Sequence, residues 1–235
     1  MSVMIKCQGW WTNTLYDLIQ TELNKGADKR KGIPVAIEGP YGPAALDFLK
    51  YDSVLMVAGG SGITPFLSIL AEIDSTTNRN KFPSRIELVH VIKRAQDICL
   101  LHSIAHLLVN QTSEKFHLKL KLFVTQETQP GMGITELLND TLIAIVLRWR
   151  RLKKGVRPTS QTEIKPLDLS SAETKNALEE HEVHFGGRPN FKDILGKFKN
   201  ETSGSNVGVL VCGPESMKES VAAACQQESE CSKLS

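Results

Sequence analysis

The residues best suited to chemistry stand in one short run: Ala58, Gly59, Gly60, Ser61, Gly62, Ile63, Thr64 and Pro65. The run follows a wholly apolar stretch and precedes apolar positions at helical spacing. Glycines let a backbone come close to a phosphate, and the first N–H groups of a helix point at the anion. The run departs from the standard dinucleotide fingerprint, because counting from Gly60 the sixth position is Pro65 rather than Gly or Ala. The plain alternative is a tight strand-to-helix turn without a ligand. Three glycines with a serine and a threonine in one such turn favour the anion site. A second loop, Val211, Cys212, Gly213, Pro214 and Glu215, also closes an apolar stretch. Open α/β sheets gather their ligands at that end of their strands. A lone cysteine is more often a small buried residue than a reactive one.

Several elements must position these loops. Residues 54–58 read as a strand buried on both faces, and Ile63, Phe66, Leu67, Leu70 and Ile73 as one face of the following helix. Pro65 suits a first helical position, where its missing N–H costs nothing. A strand at 86–92 follows, then a helix capped by Asp97 and carrying Ile98, Leu101, Ile104, Ala105 and Leu108, then a strand at 118–125. Strands alternating with helices imply a parallel sheet covered on both faces. Residues 126–182 are too long for an ordinary connection and read as an irregular insertion, helical over 171–180. Beyond it come a turn at Gly186, Gly187, Arg188 and Pro189, a helix with Phe191, Ile194, Leu195 and Phe198, and a strand at 207–211. Ser216 and Glu219 have the spacing of a capping box for the last helix, and the polar residues from 226 onward should fray.

The opening looks like the tail of another domain. It has a strand at 2–7, a turn at 9–13, a helix with Leu15, Leu18, Ile19 and Leu23, and a strand at 33–38. Gly39, Pro40, Tyr41, Gly42 and Pro43 then break regular structure.

Charge and cysteine usage exclude some classes. With 28 basic against 26 acidic residues the net charge is +2, far from the basic excess of a nucleic-acid binder. Five cysteines without a C-x-x-C pair argue against a disulfide framework and a zinc site, and for a reducing compartment. No apolar stretch of signal-peptide length opens the chain. Leu142, Ile143, Ala144, Ile145, Val146 and Leu147 form a run followed by Arg148, Arg150, Arg151, Lys153 and Lys154. A bilayer needs about 20 apolar residues, so this run cannot cross one. It reads equally as the cytoplasmic end of a membrane helix and as a short buried strand beside a basic turn.

Four motifs occur in a familiar order: Gly39-Pro40-Tyr41-Gly42; Ala58 to Pro65; His184-Phe185-Gly186-Gly187-Arg188-Pro189-Asn190; and Cys212-Gly213-Pro214. Over nearly the whole chain outside the insertion they resemble the ferredoxin–NADP reductase superfamily. Within it they are most similar to the plant ferric-chelate reductases (ferric reduction oxidases), relatives of the NADPH oxidases. The resemblance implies an α/β, ferredoxin–NADP reductase-like nucleotide-binding domain over 51–235, its parallel sheet flanked by helices. Residues 1–50 would be the C-terminal remnant of a flavin-binding β-barrel.

That family passes a hydride from NADPH or NADH to FAD, and single electrons then cross a membrane through haems to ferric chelates. By motif match Gly59, Gly60, Ser61, Gly62, Ile63, Thr64 and Pro65 would hold the nicotinamide-ribose and pyrophosphate side. Cys212 would stand near the nicotinamide, with Gly213 and Pro214 shaping the pocket. Arg188 would contact the adenosine phosphates, which suits a guanidinium that grips phosphate in a bidentate way. Lys93 and Arg94 occupy the place where such folds read a 2′-phosphate. Gly39, Pro40, Tyr41 and Gly42 would lie at the flavin–nicotinamide junction, with Tyr41 packing rather than reacting, and Trp11 and Thr12 would meet the flavin pyrophosphate. No general acid or base is needed, because the cofactors carry the hydride chemistry.

The family's His-Pro-Phe-Ser/Thr flavin loop and haem-bearing membrane helices have no counterpart in this sequence. In many plant members membrane helices also interrupt the nucleotide domain between its third and fourth strands, which makes 141–147 a remnant of such a span. The expectation is therefore the NAD(P)H-binding portion of a membrane enzyme. It would face the cytosol or another reducing side and be largely soluble by itself. FAD would be held mainly by sequence outside this chain, and haem, membrane and ferric chelate would belong to the family's N-terminal part. A non-catalytic nucleotide- or partner-binding fragment is the alternative. A flavodoxin-like domain would explain the first loop but neither Cys212-Gly213-Pro214 nor the Gly-Arg-Pro turn.

Overall fold

A strand with no polar side chain between its ends has no face to give to water. Ser53–Gly59 (β1) is accordingly buried along its length, with only Gly59 partly exposed. The computed structural model describes residues 5–38, 47–75, 82–104, 107–108, 116–128 and 180–231. β1 pairs on one side with Arg85–Ile92 (β2) and on the other with Val207–Cys212 (β5). His117–Val124 (β3) and Glu182–Phe185 (β4) extend the sheet beyond β2. The order is β4-β3-β2-β1-β5 and every pairing is parallel.

Helices cover both faces, as parallel ladders require. On one face Val54, Met56, Leu88 and Leu122 pack against Phe66, Leu70 and Ile73 of Thr64–Ser75 (α2). On the other, Leu55, Val57, Val89 and Phe123 meet Ile194, Leu195 and Phe198 of Phe191–Glu201 (α3), with Val221 and Ala224 of Glu215–Cys231 (α4). The chain walks outward from β1 to β4, and α3 carries it back to β5. The direction of winding reverses between β1 and β5. In open α/β sheets that reversal opens a crevice at the carboxyl ends of the strands.

Beneath α3 the sheet carries charge. Lys121 Nζ lies 2.6 Å from Glu87 Oε1, both side chains being buried, but it is poorly aligned for a hydrogen bond. Glu182 bonds Lys119 at 2.7 Å, with Lys197 of α3 at 3.7 Å. Burial pushes the Glu182 carboxyl up, but the Lys119 bond and the charges of Lys119, Lys121 and Lys197 outweigh it and hold the group at about 2.

His181 ties the far edge of the sheet together. Its Nδ1 accepts from the Leu120 N–H at 3.2 Å and its Nε2 donates to the Leu108 carbonyl at 2.9 Å. Burial lowers its pKa, so the ring is neutral with its proton on Nε2.

Some local expectations give way. The segment expected as an α-helix from Asp97 is a 3-10 helix over Ala95–Ile104. Ile98, Leu101 and Ile104 recur every third residue, and three residues per turn puts all three in one buried row. Asp97 still serves the start of this segment, accepting from the Arg94 N–H at 3.3 Å. The Ser216–Glu219 box does not form, since α4 begins at Glu215 and the Pro214 carbonyl accepts from Met217 and Lys218. Pro214 has φ already fixed in the helical range, so the helix starts before Ser216 could cap it.

The chain divides into two compact units, 1–44 with 143–165 and 45–142 with 166–235, and the sheet belongs to the second. In the first, helix Trp10–Asn24 (α1) forms as expected. Residues 5–7 and 33–38 carry no strand, and Val35 and Ile37 are exposed. A strand needs a ladder to satisfy its backbone, and no partner strand lies among residues 5–38. The expectations at 2–4, 39–43 and 141–147, the helix over 171–179 and most of the insertion (129–179) fall outside the described residues.

Candidate nucleotide site

Because all five strands are parallel, every loop named in the sequence for nucleotide contact within the second unit leaves the same edge of the sheet. After β1 the chain enters a 3-10 turn, Gly60–Ile63, that runs straight into α2. Gly60 has φ +54°, a left-handed conformation in which a side chain is strained. Its neighbour strand β5 ends at Cys212, paired in register with Ala58.

The two loops touch backbone to backbone. A Cβ on Gly62 would stand 2.3 Å from the Cys212 carbonyl oxygen and 3.2 Å from the Gly213 nitrogen. A Cβ on Gly213 would lie 3.1 Å from the Gly59 nitrogen, and one on Gly59 would lie 2.7 Å from Pro214 Cδ. Glycine is therefore dictated by contact, which loop spacing alone does not show. Ser61 and Pro65 are exposed, while the Ile63 side chain is fully buried and leaves only its backbone available. The Thr64 hydroxyl donates to the Ser61 carbonyl at 2.8 Å and tightens the turn. Cys212 is half-buried.

The other residues spread along the edge. Lys93 and Arg94 are exposed just past β2, the strand beside β1. Arg188 is exposed in the turn after β4, where Gly186 takes φ +78° and donates to the Val124 carbonyl at 2.9 Å. Three strand intervals of about 4.8 Å separate β4 from β1. Arg188 thus marks the far end of a track that begins at the Gly62–Cys212 contact. His184, just before this turn, stacks on Phe123 with ring centres 4.5 Å apart.

Trp11 and Thr12 lie in the other unit, Trp11 exposed and Thr12 buried. The Thr12 hydroxyl accepts from the Gln8 N–H at 2.8 Å and donates to the Gly9 carbonyl at 3.1 Å, closing the turn into α1. Gly39, Pro40, Tyr41 and Gly42 are outside the described residues.

One site residue escaped sequence reasoning. His90, near the end of β2, is fully buried with Nε2 3.0 Å from the Gly60 carbonyl and no partner for Nδ1. The signal was present: a histidine inside the apolar run of a central strand, just before its carboxyl end. Burial lowers its pKa to about 4, only partly offset by the Gly60 bond and the charge of Asp97.

This has a measurable consequence. A folded pKa below the unfolded value means that the unfolded chain binds more protons. The stabilisation is complete above about 6.5 and is lost as pH falls toward about 4. Between pH 7 and 5, His90 alone should cost about 2 kcal/mol of unfolding free energy, with His181 acting in the same direction. Urea denaturation at the two pH values checks this, and equal or greater stability at pH 5 would contradict it.

The profile of the ferric reductase NAD binding domain matches residues 51–226. The chain belongs to that family. It is 32% identical to ferric reduction oxidase 8, mitochondrial, of Arabidopsis thaliana, over 98% of this chain and 46% of that protein. Ferric reduction oxidase 3, mitochondrial, of the same plant is 30% identical over 96% of the chain and 41% of its own length. Dual oxidase 1 of Caenorhabditis elegans is 26% identical over 96% and 14% respectively. The chain thus spans less than half of each of these relatives. The first alignment covers 335 positions although this chain has 235 residues, so at least 100 of them face gaps here. The dual oxidase alignment, over 230 residues, has no such excess.

The chain is therefore the NAD-binding part of an oxidoreductase family. At the carboxyl edge of the sheet Gly59, Gly62 and Gly213 let the two loops close on each other, a Cβ at any of them meeting the opposite loop, while the space beside Gly60 is open. Thr12 is engaged within its own turn, and residues 5–38 form no paired strands. Among the described residues no helix is long and apolar enough to cross a membrane, and no cluster of side chains could hold a metal ion.

Proposed function

We propose that the chain binds NAD(P)H along the carboxyl edge of its sheet and serves as the hydride-donating portion of a ferric-chelate reductase. The Gly62–Cys212 contact at the point where the winding reverses carries this reading. The N–H groups of Gly60 and Ser61 begin the 3-10 turn and lack intrahelical acceptors, so they are available to a pyrophosphate. Cys212 and Gly213 bound the nicotinamide end, where the closeness of two backbones limits the ring to one orientation. Lys93 and Arg94 offer charge to a 2′-phosphate and Arg188 grips the adenosine side. When bound, the nicotinamide supplies the hydride, a proton with two electrons, and the protein supplies position and electrostatics.

In this reading FAD, haem and the ferric chelate are reached through sequence outside the described residues. Residues 1–50 are the end of a flavin barrel, and 141–147 a shortened relic of the extra positions in the plant relatives. The whole enzyme works at a membrane, with this portion on a reducing side.

Titration of NADPH nicotinamide fluorescence should show saturable binding. Arg188→Glu should weaken NADPH and NADH alike by about tenfold, as expected for a lost charge-assisted bond. Lys93→Glu with Arg94→Glu should weaken NADPH and leave NADH nearly unchanged. Absence of saturable binding by the unaltered chain would remove the proposal.

A second reading is favoured by the unpaired segments at 5–38, which form no barrel around a flavin. In it the chain takes up nucleotide without turning it over. A yellow preparation with diaphorase activity after FAD is added excludes this reading.

A further inference from the structure

We propose that His90 is a positioning residue for the phosphate-binding turn: by holding the Gly60 carbonyl against the sheet it turns the Ser61 N–H outward to the nucleotide. The proposal rests on the nucleotide reading above and adds a residue outside the turn that sets the turn's orientation.

The contact itself is specific. His90 stands in register with Ala58, the last buried residue of β1, and its Nε2 lies 3.0 Å from the Gly60 oxygen. A carbonyl can only accept, so the proton is on Nε2 and Nδ1 is the bare nitrogen. That Nδ1 is buried without a partner. A leucine at the same place would avoid the cost of an unsatisfied buried acceptor, so the ring brings something an apolar side chain lacks. What it brings is one N–H aimed at one carbonyl.

Gly60 needs such a restraint. At φ +54° with no side chain of its own Gly60 is conformationally free, and the poorer hydrogen-bond geometry of a 3-10 turn holds the peptide between Gly60 and Ser61 less firmly than an α-helix would, so the His90 contact adds restraint. A trans peptide is planar, and its C=O and N–H point in opposite directions. Fixing the Gly60 carbonyl inward on His90 therefore fixes the Ser61 N–H outward. As the second residue of the 3-10 turn Ser61 has no intrahelical acceptor for that N–H. In this proposal the outward N–H, in the same turn that touches Cys212, is presented to the crevice between β1 and β5.

The test compares His90→Leu with His90→Gln in the full chain, by NADPH titration and urea denaturation. Gln can present an amide N–H about where Nε2 stands, whereas Leu fills the space without a donor. The expected result is an affinity loss of about tenfold or more in His90→Leu, with stability kept or raised. His90→Gln should return to within about threefold of the unaltered chain. NADPH affinity unchanged in His90→Leu overturns the proposal, as does an equal loss in both variants, which would mean packing alone. If His90→Leu fails to fold, amide NMR of the unaltered chain decides. Ser61 must be among the amides moved by inorganic pyrophosphate, and a stationary Ser61 beside moving neighbours refutes the idea. If the unaltered chain binds no NADPH, the nucleotide reading falls and this one with it. Normal binding with an indifferent His90→Leu removes this inference alone.

Discussion

Gly62→Ala should lower the affinity of the chain for NADPH by about 100-fold, the loss of two well-made hydrogen bonds to a charged ligand. The added methyl would sit 2.3 Å from the Cys212 carbonyl oxygen and 2.8 Å from its carbon. Both are backbone atoms in a strand end paired to β1, so neither can swing aside as a side chain would. The two loops must part, and the turn's N–H groups move off the ligand together with the pocket wall. Overpacking of this kind costs about 1–3 kcal/mol, which leaves the sheet folded. Gly196→Ala is the matched control. Its Cβ would meet Glu228 Oε1 at 3.5 Å, an ordinary contact between α3 and α4 that involves neither loop. It should raise stability by about 0.5–1 kcal/mol and leave NADPH affinity unchanged. NADPH affinity within about threefold of normal in Gly62→Ala would mean that loop contact does not shape the site.

Lys121→Met should destabilise the chain by about 3–5 kcal/mol, because it leaves the Glu87 carboxylate buried without its partner. The Glu87 side chain has no exposed surface, and its Oε2 has no hydrogen bond. Low-dielectric surroundings make an unpaired charge costly while giving the intact pair little net gain. Glu87→Leu with Lys121→Met should therefore come back to within about 1 kcal/mol of the parent, or exceed it. Urea midpoints of the single and double variants decide it. A double variant as unstable as the worse single one would show that the pair stabilises on its own account.

What could be read in advance divides along a physical line. Burial on both faces was legible in the unbroken apolar run 54–58, and so were a parallel sheet and helices on both sides. Val207–Cys212 is equally apolar yet lies at the sheet's edge and is mostly half-buried, since composition does not tell an edge strand from a central one. Alternating lysines in His117–Val124 suggest a wet face, but α3 lies over them, and Lys121 is buried against Glu87. The apolar residues of Ala95–Ile104 suit a period of three as well as 3.6, which is why an α-helix was expected there.

The site was legible as two loops and not as one place. Glycine-rich composition marks the turn at 59–65, but the reason for glycine at 62 lies 150 residues away in the Cys212 carbonyl. Only the strand order brings them together. His90 is harder still, because a histidine within an apolar strand looks the same whether it merely packs or aims a backbone carbonyl. Gly208 illustrates the converse. An isolated glycine in a strand signals a close approach, and here a Cβ would stand 2.3 Å from the Tyr51 ring.

The most direct test of the central claim is a titration of isotopically labelled chain with NADPH, followed amide by amide in NMR spectra. Amides of Gly60, Ser61 and Gly62 and those of Cys212 and Gly213 should shift together and yield a single dissociation constant, with Arg188 joining them. Shifts confined to one loop, or two loops saturating at different concentrations, would show that the edge of the sheet does not hold one extended dinucleotide.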